Sequence, residues 1–91
     1  MIRIDKFLKL SMLIKRRTVA QEMTEIGAVR VNGKQCKPAA TVKDNDIVEI
    51  AYPKRILKVK VICAEEQILR RRATAYELLS ERRVEPEERP W

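Results

Sequence analysis

Histidine is absent from this 91-residue chain, which excludes histidine-based acid–base, nucleophilic and metal chemistry. Glycine occurs twice, as Gly27 and Gly33, too seldom to build a glycine-rich phosphate loop. The two cysteines, Cys36 and Cys63, lack the C-x-x-C spacing of a zinc site and lie in apolar, strand-like surroundings, so both are expected to be free, buried and structural. Four aromatic residues are present: Phe7, Tyr52, Tyr76 and Trp91. Phe7 and Tyr76 fall on apolar faces and Trp91 in a loose end, which disfavours recognition by bases stacked on paired aromatics. No cationic segment with an apolar h-region opens the chain, and there is no run of about 18 apolar residues. A soluble cytoplasmic protein with no membrane partner, metal or cofactor is expected, and binding is favoured over catalysis.

Positive charge is plentiful. Twenty Lys and Arg against 13 Asp and Glu leave a net charge of +7, and such a surplus points to a polyanionic partner, with nucleic acid ahead of an anionic membrane. A chain of this length buries about 60 to 65% of its unfolded surface, enough for a small core and too little for a deep substrate cavity. The expected organisation is one domain over 1–64, a helical extension over 65–83 and a flexible tail over 84–91.

In IRIDKFLKLSMLI, Ile4, Phe7, Leu8 and Met12 recur at helical spacing while Lys6 and Lys9 occupy another face, so a first helix is expected, with Asp5 in its first turn. In TVAQEMTEIG, Val19, Ala20, Met23 and Ile26 form the apolar side of a second helix, Gln21, Glu22 and Glu25 lie outside, and Gly27 stops it. Its start is open to two readings: Thr18 and Gln21 can form a capping box, or the preceding cations can form an earlier first turn. In both, Arg16 and Arg17 stand at or beside a helix N-terminus, where cations oppose the macrodipole and an anion is welcome.

Val29 and Val31 alternate with Arg30 before Asn32-Gly33, a strong hairpin signal because a type I′ turn needs φ > 0 at both central residues. Asn45 can take a left-handed position. IVEIAY and ILKVKVICA read as strands of an antiparallel, partly solvated sheet, the second with Lys58 and Lys60 on its outer face. From Ile68 the pattern reads as helix, with Leu69, Ala73, Tyr76 and Leu79 as its apolar side.

Any single lysine can be solvated surface. Arg3, Lys6 and Lys9, however, belong to the first helical segment, and Lys15, Arg16 and Arg17 to the junction after it, so one continuous basic patch can result and thread phosphates. Glu65-Glu66 and Glu87-Glu88 fall at unpatterned positions and are not read as catalytic pairs. A DNA-reading helix-turn-helix is disfavoured, because the would-be recognition helix exposes Gln21, Glu22, Thr24 and Glu25, and two carboxylates repel groove phosphates. Asp44 and Asp46 read as turn residues.

The stretch from Arg3 to Ile50 resembles the S4 RNA-binding domain. It carries an Arg-hydrophobic-Asp opening, a basic junction, an alanine in the second helix, a Gly-x-Val-x-Val-Asn-Gly segment and an Asp before a strand. Two positions depart from that pattern: Met12, where close relatives often carry a basic residue, and Asn45, where glycine is usual. The resemblance implies an α+β fold with an αL motif, two N-terminal helices packed on a small antiparallel sheet, and a short C-terminal helix. It is similar above all to small stand-alone members that act in bacterial ribosome-associated quality control.

That likeness implies a non-enzymatic, monomeric RNA clamp. Its partners would be 23S rRNA of the large ribosomal subunit, peptidyl-tRNA and an RqcH-type tail-elongation factor that builds an alanine tail. The alternative is an S4-type factor for ribosome assembly or another recycling step. Site residues carried over are Arg3 and Arg17 first, with Lys6, Lys9, Lys15 and Arg16; Asp5, Arg30 and Lys34 support them, Asp5 by orienting the arginines or capping the helix.

Overall fold

The computed structural model describes residues 1–71, 73–85 and 87. In chain order it runs β1 (Ile2–Arg3), α1 (Ile4–Leu10), α2 (Arg17–Glu25), β2 (Val29–Val31), β3 (Lys34–Gln35), β4 (Thr41–Val42), β5 (Ile47–Tyr52), β6 (Arg55–Val61), α3 (Glu66–Arg70) and β7 (Tyr76–Arg83). Five strands form one sheet in the order β3-β2-β5-β6-β7, and β1 pairs with β4 in a second. Every pairing is antiparallel.

Alternation along the strands decides which side chains enter the core. Val29, Val48, Ile50, Val59 and Val61 are buried, and α1 lays Ile4, Phe7 and Leu8 against them, each fully buried. Burial of side chains of this size contributes about 1.5 to 3 kcal/mol apiece. Ala20 of α2 and the junction residues Leu13 and Ile14 complete the cluster. On the opposite face, the register sets Arg30 beside Glu49 and Glu49 beside Lys58. The small α+β fold with helices on an antiparallel sheet matches the expectation from sequence.

Turns follow the side-chain chemistry. Asn32 and Gly33 have φ of 52° and 81°, as a type I′ hairpin requires, and Asn45 is left-handed at 75°. Asn32 donates to an Asp46 carboxylate oxygen at 3.2 Å and accepts from the Ile47 amide at 2.9 Å, tying the hairpin to the start of β5. Asp46 also accepts from the Lys43 amide, and Asp44 from the Ala64 amide, so both are indeed turn residues. Gly27 ends α2 at φ 82°; a Cβ there would lie 2.8 Å from the Gln35 side chain.

Several expectations are corrected. The helix anticipated from Ile68 onward is a five-residue α3 followed by the eight-residue strand β7. β7 pairs with β6 from Val61↔Tyr76 to Arg55↔Arg83, with a bulge between Lys58 and Val59. The ladder along β6 outweighs the helix propensity of this segment, because propensity is a weak prior beside tertiary pairing. Leu69 is buried as anticipated, but Ala73 is exposed and Ala75 takes the buried place. Val84, assigned to the flexible tail, is buried with Ala51 and Ile56, and its amide donates to the Lys54 carbonyl at 3.0 Å. Residues 86 and 88–91 of that tail lie outside the described residues.

Met12 and Ile26, placed on apolar helix faces, are 68% and 80% exposed. Both follow the last helical residue, where the 3.6-residue period no longer applies: Met12 is left-handed at φ 66° and Ile26 is the C-cap of α2. The cysteines are free but only half-buried, and burial pushes the Cys36 thiol up.

Candidate nucleic-acid interface

The sequence sets one carboxylate, Asp5, in the first turn of α1, on a side that α2 covers. Its side chain is 0% exposed, and a bare charge there would be costly. Five hydrogen bonds satisfy it. Arg3 donates through Nε at 3.2 Å and Nη2 at 3.1 Å, the Lys6 amide at 2.8 Å, Arg17 through Nε at 3.3 Å, and Gln21 through Nε2 at 2.9 Å. Desolvation by burial acts to raise the Asp5 pKa. The donors, Gln21 and the Lys6 amide foremost, then Arg17 and Arg3, outweigh it and hold the carboxyl below the usual range.

The consequence for the arginines is orientation. Arg3 and Arg17 side chains are 45% and 41% exposed, Arg3 holding the buried anion through Nε and Nη2 and Arg17 through Nε. Arg17 uses only Nε, so among the described residues its two terminal nitrogens take no protein acceptor. Such a fork suits two oxygens of a phosphate. The capping box of Thr18 with Gln21 is not formed: Arg16 is the N-cap, without a side-chain cap bond, and Gln21 turns to Asp5.

Beside this pair, Lys6, Lys9, Leu10, Arg17 and Arg70 line a cleft of about 220 Å³. Lys6 donates to Glu66 of α3 at 2.6 Å, and Glu66 also meets Arg70 at 3.5 Å. The hydrogen bond from Lys6 is the main reason that the Glu66 carboxyl sits below its ordinary range; Lys6 and Arg70 charges add to it, against a smaller desolvation cost. Glu66 therefore has a structural partner on α1, which the sequence did not suggest.

With this geometry in place, comparison with known proteins gives a consistent result. The S4 domain family model matches residues 2–48. The chain belongs to the S4 domain family. Among curated relatives of this S4 protein, a Streptococcus pneumoniae protein named RQC P-site tRNA stabilizing factor is 44% identical over 85 residues, covering 92% of this chain and 97% of the relative. A Halalkalibacterium halodurans protein of the same name is 38% identical, covering 96% and 100%. Among solved structures, Vibrio cholerae Heat Shock Protein 15, described as trimeric, superposes with a TM-score of 0.71 at 20% identity, covering 87% of this chain and 82% of that one. It shares the fold.

Within the S4 domain, the structure brings Arg3, Asp5 and Arg17 into contact and sets Lys6 and Lys9 on the adjoining cleft. Lys15 and Arg16 are exposed on the junction leading into α2. Arg30 and Lys34 stand on the β2–β3 hairpin, Arg30 beside Glu49, and neither lines the cleft. Two participants were missed from sequence, Gln21 and Glu66, and a third, Arg70, was left open there as part of a second contact over 70–72. Their only sequence signal is spacing, since Gln21 lies four residues after Arg17 and Arg70 four after Glu66, on one helix face in each case.

Proposed function

We propose that this S4 protein is a non-enzymatic RNA-binding factor of ribosome-associated quality control that binds the large ribosomal subunit and steadies peptidyl-tRNA in the P site. The observation that carries this reading is the buried Asp5 bracing the partly exposed Arg3 and Arg17. A buried carboxylate that accepts from two arginines, a glutamine and a backbone amide is fully occupied in positioning its neighbours, which serves a phosphate ligand better than it serves catalysis. The near full-length likeness to relatives named RQC P-site tRNA stabilizing factor supplies the biological setting. Arg3, Lys6, Lys9, Lys15, Arg16 and Arg17 are the RNA contacts in this reading, with Asp5 as their brace and Arg30 and Lys34 as secondary support. Contact with 23S rRNA, an RqcH-type tail-elongation partner, alanine tailing of the nascent chain, cytoplasmic location and a monomeric state complete it.

The experiment is pulldown of the tagged protein from cells, followed by identification of bound RNA. Free large subunits carrying peptidyl-tRNA are expected; recovery of intact translating ribosomes alone, or of immature rRNA without tRNA, argues against the reading. In binding assays with such subunits, Arg17→Ala should weaken affinity and lower the slope of log K against log salt by about one. Its stability cost should stay within about 1 kcal/mol, since the pair is partly exposed and Asp5 keeps four other hydrogen bonds.

A further inference from the structure

The S4 match ends at residue 48, yet the cationic cleft does not. Of its five lining residues, Lys6, Lys9 and Leu10 come from α1, Arg17 opens α2 and Arg70 closes α3. Four of the five are cations, none is a carboxylate, and three separate helices deliver them. Asp5 and Glu66 offset part of that charge, and the surplus of like charge raises the free energy of the unliganded protein. Fold stability offers little in return, because an exposed i,i+4 Glu–Arg pair such as Glu66–Arg70 is screened by solvent and weak. An anion in the cleft reverses the sign of that cost.

Glu66 on α3 also joins two cations, although it is 36% exposed where Asp5 is buried. It does not line the cleft but meets two of the cations that do, one from each of two elements, Lys6 at 2.6 Å and Arg70 through Nε at 3.5 Å. Arg70, like Arg17, meets its carboxylate through Nε, and its side chain is 60% exposed. α3 is itself anchored by Leu69, which is buried in the core, so the wall it forms is not adrift.

We infer that α3 is the second wall of a phosphodiester-binding cleft, in which Arg70 contacts an RNA backbone phosphate opposite Arg17 and Glu66 positions Lys6 and Arg70. The inference rests on the RNA-binding reading above and extends it to a residue beyond the S4 match.

The test measures affinity for free large subunits carrying peptidyl-tRNA across a potassium chloride series at fixed magnesium. Arg70→Gln is expected to weaken binding several-fold and to lower the salt slope by about one, and Arg70→Lys to restore the slope. Glu66→Gln separates positioning from simple attraction. It makes the protein one charge more positive, so attraction alone would tighten binding, whereas loss of positioning weakens it. An unchanged salt slope for Arg70→Gln overturns the assignment of Arg70, and tighter binding by Glu66→Gln overturns the role of Glu66. Arg17→Ala measured alongside reports on the parent reading: weakened binding there with an unchanged Arg70→Gln slope removes α3 alone, whereas unchanged Arg17→Ala binding removes the RNA-binding reading itself.

Discussion

Replacing Asp5 by asparagine keeps the shape of the side chain but turns an NH2 group toward donors and leaves Arg3 and Arg17 without their anion. Removing one member of a buried ion pair costs about 3 to 5 kcal/mol. Both guanidinium groups are nearly half exposed, so solvent screening brings the expected loss for Asp5→Asn to about 2 to 3 kcal/mol, read from urea denaturation. The pH dependence has a fixed sign. Because the folded carboxyl lies below its unfolded value, its contribution is complete above about pH 4 and disappears as pH falls through the lower folded value. Melting temperature of the parent protein should therefore fall on acidification in that window, and Asp5→Asn should show a shallower fall. The motif leaves two roles open for Asp5, orienting the arginines or capping the helix, and the carboxylate meets both arginines and the Lys6 amide. Gln21 was not legible, since a glutamine on a solvated face carries no sign of the carboxylate it reaches on another helix.

The β2–β3 hairpin, β5 and β6 were legible as elements because their signals are local: a left-handed Asn-Gly turn, a short apolar run in β5 and alternation along most of β6. β7 was not. Its Leu, Glu and Arg residues favour helix, and Leu69, Ala73, Tyr76 and Leu79 recur at roughly helical intervals. What makes the segment a strand is the open edge of β6, which only the folded chain presents. The hairpin also yields an element-level prediction. Asn32→Ala loses both side-chain hydrogen bonds to the start of β5, and with them the local compensation for a residue held at φ 52°. A loss of about 1 to 2 kcal/mol is expected. Hydrogen exchange should show it first at the Ile47 amide, which gives up its acceptor.

Across the whole molecule, the segment read as an appendage closes the sheet. Ending the chain after Ala75 would bare β6, a long strand whose inner positions are apolar, and unpaired edges of that kind recruit other chains. Such a truncation should lose its cooperative melting transition and scatter light on concentration, while the full chain stays clear. Folding and site assembly are coupled from the other side as well, through Asp5. An arginine side chain carries about 2 kcal/mol of rotamer entropy, and ordering it is a cost that some step must bear. For Arg3 and Arg17 that step is folding, because the buried carboxylate selects their rotamers as α1 and α2 close. On the proposed reading, a polyanion arriving later would meet two guanidinium groups already stilled, while Lys15 and Arg16, exposed on the junction, would bring their conformational freedom into the encounter and lose it there.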